Sequence, residues 1–305
     1  MIHIEITGIS KRFGQTQALQ DISFSIEAGE LFGLIGPDGA GKSTLFNVLV
    51  TLIQPDDGTA KIQGYDLITD YKKIRHIIGY LPGRFSLYGS LSCQENLEFF
   101  AKLYGESIKK NYNLIAPIWE QLLPFKNRKA SALSGGMKQK LALCCALVHK
   151  PAILFLDEPT TGVDPVSRGE LWDILTLLKE ENITVLVSTS YMEEAMLCTR
   201  IGLLQFGKLL GSNTPKQIQT NYKGFIFAVY TDANYQLLQH LQDFKEVQDF
   251  YAAGQQVNVV LNNLSQEPLL RSYLERLPVK IKNMEQINPT IEDCFIQLMK
   301  IKKDE

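Results

Sequence analysis

At 305 residues the chain is long enough to bury a substantial core, and its length suits one main domain with an appendage. Apolar residues at 45% and charged residues at 21% are those of an ordinary globular protein, which excludes fibrous and disordered classes. A net charge of -2 offers no basic field to nucleic acid, no run approaches the ~18 apolar residues of a spanning helix, and Met1-Ile2-His3-Ile4-Glu5 lacks a signal-peptide pattern, so a cytoplasmic chain is expected unless a partner holds it at a membrane.

Residues Ile2 to Ile6 and Asp21 to Ile26 alternate apolar with polar side chains, which predicts half-exposed antiparallel strands. Leu31 to Ile35 is continuously apolar apart from Gly33, as in a strand covered on both faces. It leads into the glycine-rich stretch Gly36 to Gly41 and then a helical pattern from Lys42 to Leu52. The stretch from about Leu87 to Leu147 is mostly helix-like and reads as an insertion. Apolar strands are predicted again at Ile153 to Leu156 and Thr184 to Val187, each reached through a helix-like segment, which argues for an α/β fold with a parallel sheet.

Around Gly211 to Tyr222 the chain turns polar and contains Pro215, which predicts a linker between a domain at 1–220 and a second at 223–305. Beyond it, strands at Phe225 to Tyr230 and Gln256 to Leu261 and helices near Tyr235 to Leu241 and Glu267 to Leu277 suggest a small α+β module. Pro289 to Phe295 carries a helix start signal with Thr290 or Asn288 as cap. The five cysteines and four histidines show no metal-ligand spacing and no disulfide framework, so buried reduced thiols are expected.

Gly36-x-x-x-x-Gly41-Lys42-Ser43 satisfies the phosphate-loop pattern, and the strand before it and helix after it supply the required context. Glycines let backbone N–H groups curl around phosphate oxygens, a helix amino terminus faces the negative charge, Lys42 reaches the terminal phosphates, and the Ser43 hydroxyl suits magnesium. Asp157 and Glu158 follow the strand that ends at Leu156, where ligands of parallel sheets bind. Asp157 is expected to hold Mg2+ through water, and Glu158 to polarise the attacking water as the catalytic general base.

Leu133-Ser134-Gly135-Gly136-Met137 closely resembles the signature motif of ABC ATPases. A serine and two glycines before a helix would present a hydroxyl and free N–H groups, a second phosphate site in its own right, although a bare helix cap has the same composition. The resemblance runs in family order through residues 1–220 and implies a P-loop NTPase with an antiparallel β subdomain and a helical insertion at about 87–147. It also implies ATP and Mg2+ as cofactors. ATP would be held by Gly36, Pro37, Asp38, Gly39, Ala40, Gly41, Lys42, Ser43 and Thr44, with Ser43 and Asp157 on the metal. Ser134, Gly135 and Gly136 would serve the nucleotide of a second subunit. Phe13 resembles the aromatic that stacks on adenine, with a core phenylalanine as the competing reading. Gly162-Val163-Asp164-Pro165 resembles the loop that communicates across the dimer.

Departures from the family pattern narrow the expectation. Gly83 stands where the family places a glutamine that contacts magnesium and water, and Ser190 where it places a histidine for the γ-phosphate. Asp38 replaces the usual asparagine. Losing one preorganised donor typically costs about a hundred- to a thousandfold in rate, so this chain's own site is expected to turn over slowly, unless Ser190 and a water serve in place of histidine.

The carboxyl module resembles the tail of drug- and polysaccharide-exporter subunits. A tandem exporter of the drug class carries the same Gly-Pro-Asp-Gly-Ala-Gly-Lys and Ser-Thr-Ser-Tyr in its amino-terminal half. The resemblance thus implies an exporter subunit on the inner face of the cell membrane, with transmembrane permease subunits and a second ABC ATPase that has intact glutamine and histidine motifs as partners. A soluble ABC ATPase acting on ribosomes or DNA, or an ATP-sensing regulatory module, is the competing class of function.

Overall fold

A computed structural model describes residues 1–304. The chain divides into two compact units, the first Met1–Pro215 and the second from Lys216 onward.

The first unit begins with two long strands, β1 (Ile2–Phe13) and β2 (Thr16–Glu27), followed by β3 (Leu31–Ile35) and helix α1 (Lys42–Leu49). Next come β4 (Asp57–Ile62), β5 (Tyr65–Asp66), α2 (Tyr71–Ile77) and β6 (Ile78–Leu81). Three helices follow, α3 (Cys93–Leu103), α4 (Tyr112–Leu122) and α5 (Gly135–Leu147). The unit closes with β7 (Ile153–Asp157), α6 (Pro165–Glu180), β8 (Thr184–Thr189) and the hairpin β9 (Arg200–Gln205) and β10 (Lys208–Asn213).

Strands β2, β1, β4 and β5 form an antiparallel sheet in that order. A six-stranded sheet runs β10-β9-β3-β8-β7-β6, parallel except for the β9–β10 hairpin. Strands β3, β7 and β8 are buried along their whole length, which explains their unbroken apolar sequences. Helix α1 lies against this sheet through Leu45, Phe46, Val48 and Leu49, and Phe46 meets Phe155 of β7 edge to face at 6.0 Å. That contact fixes the phosphate loop's helix relative to the strand that delivers Asp157.

The second unit comprises α7 (Pro215–Thr220) from its second residue onward, β11 (Phe225–Thr231), α8 (Asn234–Leu241), β12 (Asp249–Ala253), β13 (Gln256–Leu261), α9 (Glu267–Arg276), β14 (Ile281–Ile287) and α10 (Ile291–Asp304). Its antiparallel sheet has the order β12-β13-β11-β14, the split β-α-β topology of ferredoxin-like modules. Phe227, Val229, Val257 and Val259 pack with Leu237, Leu241, Leu270 and Leu274 of α8 and α9. Thr290 caps α10, accepting from the Asp293 amide at 3.1 Å while the Asp293 carboxylate accepts from the Thr290 amide at 2.6 Å. Of the two expected caps, Thr290 fills the role.

The segment expected as a linker is structured instead. Strand β10 pairs with β9 up to Asn213, and α7 begins at Pro215, a residue suited to a helix start, so residues 216–220 group with the second unit. The strands expected at Ile2 to Ile6 and Asp21 to Ile26 extend to twelve residues each, with bulges that interrupt the alternation. Strands β4, β5, β6, β9, β10, β12 and β14 were not expected. Among the described residues no helix is long and apolar enough to cross a membrane, and all five cysteines are buried free thiols.

Candidate nucleotide site

The loop from Gly36 to Gly41 leaves the carboxyl end of β3 at the centre of the parallel sheet. A side chain at Gly36 would overlap the carbonyl oxygen of Leu204 in neighbouring β9, so only glycine fits there. The Gly36 amide donates to the Thr189 carbonyl at 3.2 Å, joining the start of the loop to the end of β8. Gly41 precedes α1 without a capping side chain, and the first intrahelical bond shown runs from the Leu45 amide to the Gly41 carbonyl at 3.0 Å. The amides of Lys42, Ser43 and Thr44 are thereby left without an intrahelical acceptor, as an anion at this terminus requires.

Lys42 is only 3% exposed. Its ammonium donates to the carbonyls of Gly36 at 2.7 Å and Pro37 at 3.0 Å and pairs with Glu158 Oε1 at 3.0 Å. The lysine is thus curled over its own loop, with the Glu158 carboxylate as its anionic partner. Asp38, Gly39 and Ser43 are exposed, whereas Ala40 is buried and Pro37, Gly41 and Thr44 are half-buried. A polyphosphate would meet backbone amides, a cation and two hydroxyls here, which fits the expected cofactor chemistry.

Asp157 ends β7 and is buried, accepting from Ser188 Oγ of β8 at 2.6 Å. The same Ser188 hydroxyl and carbonyl receive the Glu158 amide, at 2.9 and 3.1 Å. Glu158 has φ +50°, a left-handed conformation that L-residues adopt at a cost and that recurs at functional sites. Thr161 Oγ1 donates to Glu158 Oε2 at 3.2 Å. Burial and the nearby Asp157 charge push the Tyr80 phenol up to about 12, keeping it a neutral donor, and it donates to Asn47 Oδ1 of α1 at 3.3 Å.

Gly83 stands beside this carboxylate. A Cβ there would lie 3.2 Å from the Asp157 carbonyl and 3.8 Å from Asp157 Oδ2, the oxygen opposite the one that Ser188 bonds. A longer side chain at this position would therefore start next to the expected metal ligand, and glycine supplies none. Ser190, directly after β8, is half-buried.

Ser134 caps α5, accepting from the Met137 amide at 3.4 Å. Gly136 packs so closely on α6 that an added Cβ would lie 2.8 Å from Ser167 Oγ, and the Ser167 amide in turn donates to Asp164 at 3.0 Å. The Ser134-Gly135-Gly136 turn and the Gly162 to Pro165 loop are thus neighbours. Among the described residues no hydrogen bond or ion pair joins either to the phosphate loop of the same chain. Phe13 ends β1 opposite Thr16 and is 51% exposed, with the Lys11 ammonium 5.7 Å from its ring centre, so the core reading of this residue is corrected.

Sequence reasoning missed Ser188, which holds the Asp157 carboxylate and the Glu158 backbone amide, and Glu194. The Glu194 carboxylate is 2% exposed, accepts from Thr160 Oγ1 at 3.1 Å and from Thr189 Oγ1, and lies 3.7 Å from Arg168 Nε. Nothing in Met192-Glu193-Glu194 distinguishes the buried acid from its exposed neighbour until the chain is folded.

The sequence profile of the family described as "ABC transporter" matches residues 19–161. Over 303 residues the chain is 37% identical to the probable multidrug ABC transporter ATP-binding protein YbhF of Escherichia coli (strain K12), covering 97% of this chain and 52% of YbhF; the chain thus spans about half the length of that relative. It is 30% identical to the linearmycin resistance ATP-binding protein LnrL of Bacillus subtilis (strain 168), across 97% of both chains. Among solved structures, an ATP-binding subunit of an ABC transporter superposes with a TM-score of 0.66 at 28% identity, covering 71% of this chain and 92% of that one. The dimeric post-hydrolysis state of the cassette MJ0796 bound to ADP and Pi gives 0.63 at 27% identity, covering 69% and 98%.

Proposed function

The chain belongs to the ABC transporter family of ATP-binding proteins, and from that premise we propose that it is the ATPase subunit of an exporter, binding Mg-ATP to drive a separate transmembrane permease. The observation that carries the reading is Lys42, buried under the glycine loop with the Glu158 carboxylate 3.0 Å from its ammonium at the carboxyl end of a parallel strand. ATP phosphates would take Glu158's place as the lysine's partner, Ser43 and Asp157 would hold Mg2+, and the freed Glu158 would polarise water. The drug-resistance and multidrug names of its relatives support export of drug-like compounds, with selectivity residing in the permease.

The same reading makes this site slow. Gly83 offers no side chain to the Asp157 carboxylate, and Ser190 offers a short hydroxyl in place of an imidazole. The exposed Ser134 turn is unaffected and would complete a site on a second ATPase that retains glutamine and histidine. The subunit would thus work at the inner face of the membrane as the slower half of a heterodimer. A cleft of about 340 Å3 between β6 and helices α3 and α5, lined by Leu87, Phe100, Tyr104 and Ala146, supports a permease contact beside the Gly83 loop.

The test is the mass of the native complex extracted from membranes with this chain as bait. A permease and a second, different ATPase are expected. Recovery of the chain alone, or with ribosomes and never with a membrane protein, would contradict the exporter reading.

A further inference from the structure

The turn between β9 and β10 is a two-residue hairpin loop, Phe206-Gly207, closed by the pairing of Gln205 with Lys208. Both residues have positive φ, +48° and +73°, the arrangement for which Asn-Gly is the favoured pair. A phenylalanine at the first position is disfavoured twice. Its Cβ crowds the left-handed backbone, and the residue is 78% exposed to water. Turn chemistry and burial would each select a small polar residue here.

This turn is bonded to the phosphate loop. The Gly207 amide donates to the Ala40 carbonyl at 2.9 Å, and the Gly207 carbonyl accepts from the Gln20 amide of β2 at 2.7 Å. Gly207 packs so close to β2 that an added Cβ would lie 2.6 Å from the Ala18 carbonyl. Ala18 is two residues from Thr16, the strand partner of Phe13. The hairpin tips that carry Phe13 and Phe206 therefore both border the half-buried Ala18 segment beside Ala40 and Gly41. Each tip carries an exposed aromatic residue, Phe13 at 51% and Phe206 at 78%.

We infer that Phe206 is a second aromatic contact for the base of the bound nucleotide, working with Phe13 on a purine nucleoside triphosphate. A purine offers an apolar π-face that would cover the ring and remove it from water, whereas the triphosphate has no use for it. The assignment rests on the nucleotide reading above and adds a specificity residue to it.

The experiment compares binding of Mg-ATP and of Mg-tripolyphosphate, which lacks base and ribose, to the full chain by calorimetry. Three forms are measured, wild type, Phe206→Ala and Phe206→Asn; asparagine suits the turn and guards against loss of folding. Both variants should bind ATP at least fivefold more weakly than wild type, the lower range of base–aromatic stacking, with tripolyphosphate affinity unchanged. Equal weakening for the two ligands would show that Phe206 merely supports the loop and would overturn the inference. Unchanged ATP affinity would overturn it as well. A wild-type chain that binds neither ligand would overturn the nucleotide reading itself, a separate result.

Discussion

Replacing Glu158 by glutamine removes the anion that faces Lys42 while keeping the side chain's size. The ion pair is 3.0 Å long, with the lysine 3% and the glutamate 22% exposed. Coulomb attraction at that distance is roughly 5–6 kcal/mol at an effective dielectric near 20, but desolvation and partial exposure reduce the net value to about 1–2 kcal/mol. A phosphate group must displace this carboxylate from the lysine and then tolerate its charge nearby. Glu158→Gln lifts both penalties, so Mg-ATP should bind about five- to thirtyfold more tightly than to wild type. The proposed general base is lost in the same step, and phosphate release should fall by about a hundredfold or more. Calorimetric titration at low temperature, with released phosphate followed in parallel, reads both effects. ATP affinity equal to or weaker than wild type would refute the claim that Glu158 competes with phosphate for Lys42, and retained hydrolysis would remove it as the base.

Gly36→Ala places a methyl group against the Leu204 backbone, which cannot rotate away, so the first unit should lose about 3 kcal/mol and melt some 6–12 °C lower, as measured by calorimetry. Burial lowers the proton affinity of His149 below its ordinary value of 6.5, outweighing the hydrogen bond of its Nε2 with the Ile78 carbonyl. The unfolded chain then binds the extra proton first, so His149's contribution is complete above about pH 6.5 and falls as the pH drops below it, by at most about 1.4 kcal/mol per pH unit. His3 acts in the same direction, again through burial. Melting temperatures across pH 7.5 to 5.5 should decline, and His149→Phe, which can keep the stack on Tyr104 at 3.7 Å, should flatten that slope.

The phosphate loop and the paired carboxylates were legible in the sequence because each is a local pattern with a fixed strand and helix context. Strands β3, β7 and β8 were equally plain, being apolar throughout. Strand β6 was not, since Ile78-Gly79-Tyr80-Leu81 is four residues long and contains a glycine. Strand β14 escaped because only Met284 of its seven residues is buried, so an edge strand carries almost no alternation. The polarity of Gly211 to Tyr222 suggested a linker, yet β10 is an edge strand of the large sheet and half-exposed along most of its length. At the site, the sequence named residues whose chemistry is visible in isolation. Ser188 and Glu194 act through partners 31 and 34 residues away, Asp157 and Thr160, and such pairings exist only once β7 and β8 lie side by side. Phe206 was hidden for a related reason, because its strain and exposure are properties of a turn whose neighbour, the phosphate loop, is far away in the chain.

The central claim, a site built to bind ATP but poorly equipped to hydrolyse it, is tested most directly by single-turnover phosphate release from the isolated chain and from a Gly83→Gln, Ser190→His variant. Glutamine at Gly83 needs the Asp157 carbonyl to yield by only a few tenths of an ångström from its 3.2 Å approach, so the variant should fold. Restoring two donors that each supply about a hundred- to a thousandfold, with effects that do not simply add, predicts hydrolysis at least a hundredfold faster in the variant at unchanged ATP occupancy. Wild type hydrolysing ATP as fast as the variant would contradict the account.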